Sequence, residues 1–581
     1  MPRIPLFIFL IFFCLSFGLE AGESKEVPST VPPIRIAYFV PADREPLPDR
    51  QERLGRVMRY VQDFYRKEMQ KNGYGPKTFV LEWDKPDRLK LYLVKGKKKQ
   101  AEYGRNDASV VREEVRNALR SQYGIEVNEE VTVIFQLLLN WDGAKATEVG
   151  PYVGGGSHLT GTAWVYEDAK LDSDLLSSKE PGGYYHGPCS LGRFNTHYIG
   201  GLAHEMGHAF SLPHACELDA ERKEKGRALM GGGNHTFGQE LRNEGPGTFL
   251  AASSAMRLSK VRAFVGDIRG SRERVYWIFE ELNAVPKKKN SNGSPRSFVL
   301  TGRVTATPKL IGIIAYNDNG TIPADYDAKT WTAPIGADGS FRIEIDELAV
   351  APYQLRLVGI HETGATSRLV IDYSVAPDGI ELSAINSAVP LDNLKRLFCA
   401  GNKAEIEVIA RKNASNKNIE SKARHLLRLL NTMETVEVSR LPSSVRETDL
   451  SWADFLDAKT GWGSFRRAHV PEDVFLQVGG KFFDSGLYAH APASYKIELG
   501  AAWRTFRFGY GLQDGHDGPV RFVVRGDGKE LFRSGDIKDH KEHRETVSVD
   551  SVGTLELVVE SAAPNGNSGA WGVWLCPVLK R

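Results

Sequence analysis

A mixed α/β region followed by two β-sandwiches is the architecture that the sequence predicts, and three observations predict it. Residues 30–270 alternate helical amphipathic spacing with apolar strands. From 297 to about 383 the pattern changes to short alternating strands parted by Gly, Asn and Asp turns. From 450 to the end, aromatic-rich strands and glycine turns return. The chain has 581 residues, too many for one core, and its length suggests about three to four domains.

Residues 1–3 make a short basic start, and 4–17 are almost wholly apolar. A small-residue exit at Ala21 completes the layout of a signal peptide, 1–21. The apolar run is short for a bilayer span of about 20 residues, and no later run is long enough. The mature protein is therefore expected to be exported, with no stable membrane span. Residues 34–40 read as a buried strand, and 53–71 as a helix with Leu54, Met58, Val61 and Phe64 on one side. Strands are expected at 78–83 and 89–94, a helix at 108–123, and at 131–139 a continuous apolar strand typical of a sheet covered on both faces. Residues 161–165, after a glycine-rich stretch at 154–156, are the candidate edge strand beside a cleft. A helix is expected at 273–282. The polar, turn-rich stretch 287–295 is the clearest linker. It separates an α/β domain, 30–270, from a small β-sandwich, 296–395. A connecting segment, 396–447, with a helix near 418–431, leads to the last domain, 448–581.

Composition narrows the function. Lys+Arg is 75 and Asp+Glu is 73, a net charge of +2. This argues against a nucleic-acid partner, which needs a basic excess to release counterions. Aromatic residues make up 10% and are spread along the chain, which argues against disorder. Outside the signal peptide four cysteines remain, Cys189, Cys216, Cys399 and Cys576, and four allow three connectivities. Cys189 and Cys216 flank the most informative segment, so that pair is the favoured disulfide.

That segment is 204–214. It holds H-E-x-x-H, His204 to His208, with a third histidine, His214, six residues on. On a helix, positions i and i+4 share a face, so His204 and His208 can aim two imidazoles at one Zn²⁺. Glu205 lies beside them, placed to take the proton of an attacking water rather than to ligate. Ser211, Leu212 and Pro213 let the chain leave the helix and turn His214 back. Three protein ligands leave one position open, which is the form of a catalytic zinc site. Gly200, Gly201 and Gly207 are poor helix formers and read as close-packing points.

These residues resemble the metzincin clan of zinc endopeptidases, whose extended motif is H-E-x-x-H-x-x-G-x-x-H followed by a methionine turn. Ser211 stands where the clan usually has Gly, so it must adopt a positive φ at some strain. Ala228–Leu229–Met230–Gly231 resembles the methionine turn, with Met230 beneath the metal. The resemblance implies a secreted zinc endopeptidase with Glu205 as general base and a protein or glycoprotein substrate held extended against a sheet edge.

A second resemblance covers the end of the chain. The runs 486–491, 495–499, 506–509, 520–524 and 526–529, then 555–558 and Trp571, look like the NPCBM domain. That implies a galactose-binding-like β-sandwich and a carbohydrate partner. Trp452, Trp462, Tyr488, Trp503, Tyr510, Trp571 and Trp574 offer aromatic faces; His490, Asp514 and Asp517 offer polar groups. Most of these aromatics are expected in the sandwich core. The 514–518 loop could hold Ca²⁺, but reads better as an acidic turn. Two alternatives stand beside the peptidase reading: a non-catalytic carbohydrate-binding or adhesion protein, and a zinc hydrolase of a non-peptide bond.

Overall fold

The computed structural model describes residues 31–287, 296–431, 434–500, 502–563 and 566–581. The expected signal peptide, 1–21, and nearly all of the expected linker lie outside the described residues. The chain divides into two compact units, Met1–Asn386 and Ser387–Arg581. Among the described residues no helix is long and apolar enough to cross a membrane.

The first unit begins with strand β1 (Arg35–Val40) and helix α1 (Arg50–Lys71), followed by β2 (Tyr92–Lys95), α2 (Ala108–Tyr123), β3 (Val131–Gln136), β4 (Val153–Gly156) and β5 (Gly161–Tyr166). The sheet order is β2-β1-β3-β5-β4. The first four strands are parallel, and β4 runs antiparallel to β5 along the edge. All six residues of β3 are buried, as its continuous apolar run predicts for a sheet covered on both faces. The expected edge strand is therefore displaced by one. Residues 161–166 pair on both sides, and the free edge belongs to β4, whose glycines gave no strand signal of their own. A buried Arg53–Glu167 pair, 2.7 Å apart, ties α1 to the end of β5. Its charges are satisfied further by Tyr38 and by the carbonyls of Asp168 and Leu171.

Helix α3 (Leu191–Ala209) crosses this sheet and carries the H-E-x-x-H residues. The chain then enters a β-sandwich: β6 (Tyr276–Pro286), β7 (Arg296–Thr307), β8 (Leu310–Asp318), β9 (Lys329–Pro334), β10 (Ser340–Leu348), β11 (Ala351–His361) and β12 (Thr366–Val375). Its two sheets are β6-β7-β10 and β9-β8-β11-β12, the second extended by Ile380–Glu381. Strand β6 corrects the expected helix at 273–282. The run Tyr-Trp-Ile-Phe has high strand propensity, and β7 supplies a partner along its length. A bulge between Phe279 and Glu281 shifts the alternation, which let the pattern be misread as helical.

The helices α4 (Ser383–Cys399), α5 (Lys403–Lys412) and α6 (Lys417–Leu429) follow. Asn402 and Asn416 cap α5 and α6, accepting from the N–H of Glu405 and Ile419. Leu394, Ile406, Ile419, Ala423 and Leu426 form a buried cluster with Val474 and Phe475. The segment 396–447 is thus a packed part of the second unit as well as a connection. The rest of that unit is two facing antiparallel sheets built from β13 (Gly486–His490), β14 (Ala493–Glu498), β15 (Thr505–Leu512), β16 (Val520–Gly526), β17 (Lys529–Arg533), β18 (His543–Ser548), β19 (Thr554–Ser561) and β20 (Trp571–Lys580). One sheet is β20-β15-β18 with β13 also on β20 and Glu447–Asp449 extending it beside β20; the other is β14-β19-β16-β17, extended beside β14 by Asp457–Lys459.

Candidate metal centre

Helix α3 is buried almost all round, as its apolar composition requires. Ser190 caps its start, its Oγ accepting from the N–H of Arg193 at 3.2 Å. Gly200 packs against Asn234, Gly201 against Tyr152 and Gly207 against Met230, and in each case a Cβ would overlap the neighbour. The close-packing role expected for these glycines is what the structure has. The helix ends in a Schellman motif: the N–H of Leu212 donates to Gly207 O at 2.9 Å and that of Ser211 to His208 O at 2.9 Å. Ser211 occupies the left-handed position with φ 71°, as expected where Gly is usual. Arg257 braces it, donating to the Ser211 carbonyl at 2.7 and 3.1 Å and to its hydroxyl at 3.2 Å.

This turn brings His214 back to His204 and His208. The three Nε2 atoms converge: His208 lies 3.1 Å from His204 and 3.0 Å from His214. Every Nδ1 faces a backbone carbonyl and must donate to it. His204 bonds Leu229 O at 2.7 Å, His208 bonds Leu212 O at 2.8 Å and His214 bonds Ala324 O at 2.6 Å. Each Nε2 is therefore a lone pair in the neutral ring. Burial pushes His204 down to about 3 and His208 to about 4, with the neighbouring imidazoles acting in the same direction, and it lowers His214 too. Three lone pairs at this spacing repel unless a cation lies between them. Tetrahedral Zn–N bonds of about 2.0–2.1 Å would hold the nitrogens about 3.3 Å apart. The donor set fits a divalent transition metal, and it is the one such cluster among the described residues.

Glu205 is largely buried, and desolvation raises its carboxyl to about 7 while a bond from the Gly154 backbone opposes the rise. Strand β4 passes so close over the helix that a Cβ on Gly154 would overlap the Glu205 carbonyl. Met230 is buried beneath Gly207. The N–H of Gly231 donates to Ala228 O at 3.0 Å, closing the expected turn, and Leu229 in that turn supplies the carbonyl for His204. Buried Glu217 holds the turn from outside, accepting from Ala228 N at 3.0 Å and pairing with Arg222 and Arg227.

The third carbonyl comes from elsewhere in the chain. Ala324 and Asp325 sit in the sandwich loop between β8 and β9, both with positive φ of 60° and 63°. The Tyr326 ring stacks on His214, centroids 3.7 Å apart, and lies 6.1 Å from that of His204. Sequence reasoning missed Ala324 and Tyr326, because nothing in local spacing links residue 324 to residue 214. The carbonyls of Leu212 and Leu229 were equally invisible, since every residue has one. On the same face of α3 as His204, seven residues earlier, His197 stacks on Tyr185 at 3.5 Å, and His235 lies 5.6 Å from His197 and 5.8 Å from Tyr185. His158 instead bonds Ser271 O.

The expected Cys189–Cys216 disulfide is not formed; both are free thiols, as are Cys399 and Cys576. Cys189 precedes the start of α3 and Cys216 follows its end. A 19-residue helix spans about 28 Å, whereas bridged Cα atoms lie within about 7 Å.

Residues 446–580 match the NPCBM/NEW2 domain model. The C-terminal sandwich is an NPCBM domain. No curated protein sequence matches the chain. Among solved structures, catalytically inactive OgpA from Akkermansia muciniphila in complex with an O-glycopeptide is 23% identical, with TM-score 0.51, over 61% of this chain and 95% of that one. Wild-type OgpA is also 23% identical, with TM-score 0.50, over 61% and 96%. The CBM51 of Clostridium perfringens GH95 with methyl-galactose is 21% identical, with TM-score 0.22, over 23% and 99%. The OgpA likeness is one of fold.

Within the NPCBM domain the aromatics divide. Trp503, Trp574 and Tyr488 are fully buried core. Trp462 is 43% exposed and packs on Trp571 at 5.2 Å, which stacks on His516 at 3.8 Å. His490 lies beside both tryptophans, and its buried Nδ1 has no partner among the described residues. In the 514–518 loop, Asp514 accepts from the N–H groups of Gly479 and Gly480 at 2.7 and 2.8 Å, so its carboxylate holds a turn.

Proposed function

We propose that this chain is an exported, zinc-dependent endopeptidase of metzincin type that acts on glycan-bearing proteins. The observation that carries the reading is the convergence of three neutral imidazoles beside Glu205 and the free edge of β4. His204, His208 and His214 would hold the ion. Bound there, Zn²⁺ would supply Lewis-acid polarisation of a peptide carbonyl and a lowered pKa for water. Glu205, poised near neutrality, takes the proton from the attacking water and gives it to the leaving amine. The backbone groups on the outer side of β4 pair with an extended substrate strand, and its glycines let that strand lie close. Met230 and the three backbone carbonyls keep the imidazoles aimed.

The glycan part of the reading rests on two supports. The NPCBM domain presents exposed Trp462, backed by buried Trp571 and His490 with half-buried His516 against Trp571, as a face on which a sugar ring can stack. OgpA, which shares the fold, has been solved with an O-glycopeptide bound. A domain that holds the glycan raises the local concentration of substrate at the metal centre. The test is metal content together with cleavage of an O-glycoprotein and of casein, for the mature chain and Glu205→Ala side by side. Stoichiometric zinc in both, with cleavage by the wild type alone, supports the peptidase. Zinc in both without cleavage of any protein favours an adhesion protein or a hydrolase of another bond. Absence of zinc overturns the metal assignment.

A further inference from the structure

The metal centre opens on one side into a cleft of about 550 Å³, and three arginines, Arg257, Arg356 and Arg368, line it. One wall is the glycine strand β4 with His208 and Ser211; the other is the sandwich face formed by β8, β11 and β12. Among the described residues no carboxylate lines the cleft. Arg257 is held in place by its three bonds to Ser211. Arg356 pairs through Nη1 with Asp325, but its Nη2 is buried with no hydrogen-bond partner. Arg368 is exposed on β12 and has no ion pair or side-chain hydrogen bond among the described residues. An unpaired buried guanidinium N–H is costly, and three guanidiniums around one concavity repel one another unless an anion joins them. Guanidinium geometry matches a carboxylate or sulfate, which it can grip with two parallel bonds.

We propose that this cleft binds an anionic group of the substrate, a carboxylate or sulfate, next to the bond to be cleaved. The inference rests on the endopeptidase reading, because β4, which would pair with the substrate backbone, also walls the cleft. The same chemistry has two sources: an acidic sugar on the glycan, or an acidic side chain of the peptide.

The experiment uses the full mature chain as Glu205→Gln, which holds substrate without turning it over. Calorimetric titration compares a sialylated O-glycopeptide with its desialylated form, and a peptide carrying Glu with its Gln counterpart. Binding of one anionic ligand about tenfold tighter than its neutral match is expected, the scale of a hydrogen bond to a charged group. That preference should collapse in Arg368→Gln and return in part in Arg368→Lys. A preference confined to the sialylated pair assigns the cleft to an acidic sugar; one confined to the Glu pair assigns it to a side chain. Equal binding of anionic and neutral forms, or a preference that survives Arg368→Gln and Arg356→Gln together, overturns the proposal. Because the readout is binding, failure of the peptidase reading shows separately, as absence of cleavage by the wild type.

Discussion

Ser211 occupies a backbone conformation that costs a side-chain-bearing residue about 1–2 kcal/mol, and it does so at the turn that aims His214. The Arg257 bonds to its carbonyl do not depend on the side chain. Ser211→Gly should therefore raise the unfolding free energy by about 0.5–1 kcal/mol, with metal binding retained; denaturant unfolding of the two chains side by side measures it. No gain would mean that the Ser211 hydroxyl bond to Arg257 offsets the strain. Glu205 presents a different case. Its carboxylate is largely buried and makes no ion pair among the described residues, so Glu205→Gln preserves volume and removes only the proposed base. We expect kcat to fall by about 10²–10⁴-fold with zinc content unchanged. A variant that loses its zinc would instead place Glu205 in the ligand set.

At the scale of elements, the candidate metal centre is not finished by the α/β region that carries its three histidines. The loop 319–328 of the sandwich supplies the carbonyl that orients His214 and the ring that covers it. Replacing residues 323–326 by glycines should weaken zinc binding about tenfold or more, read by competition with a chelator of known affinity. Unchanged affinity would show that His214 keeps its tautomer without the loop. The same scale explains one misreading. The segment 276–286 has alternating and helical features in similar measure, and only pairing with β7 decides for strand. Helix α6 was legible near its true bounds, because its amphipathic period is clean and Asn416 caps it.

For the whole molecule, two units with separate cores should respond separately. A ligand that binds one unit stabilises that unit by about 2.7 kcal/mol at a hundredfold excess over its Kd. Zinc removal by a chelator should therefore lower the calorimetric transition of the first unit and leave that of the second in place. A common shift would mean that the two unfold together. Protons act on the second unit through His425, buried on α6 with Nε2 bonded to Ala468 O. Burial pushes its pKa down to about 4, against about 6.5 when unfolded. The unfolded chain takes up the proton first, so the stability present above pH 6.5 is lost as pH falls towards 4. The loss is about 3 kcal/mol. His425→Gln should flatten that slope in unfolding curves taken between pH 7 and 4; an unchanged slope would assign it to other groups.

The sequence alone determined the arrangement of side chains that is local to one helix and one turn. The i, i+4 pair, the neighbouring Glu205, the return of His214 and the Met230 turn are fixed by spacing within about thirty residues, and the helical period places them. The sandwich periodicities and the NPCBM pattern were legible for the same reason, since alternation and turns are local. Tertiary structure decided what depends on contacts between distant segments. The free edge passed to β4 because β5 pairs on both sides; the cysteines were parted because α3 lies between them. Ala324, Tyr326, Arg356 and Arg368 reached the site only when the sandwich packed against the α/β core. Side-chain spacing along a chain carries no record of such encounters, which are set by which apolar faces bury one another.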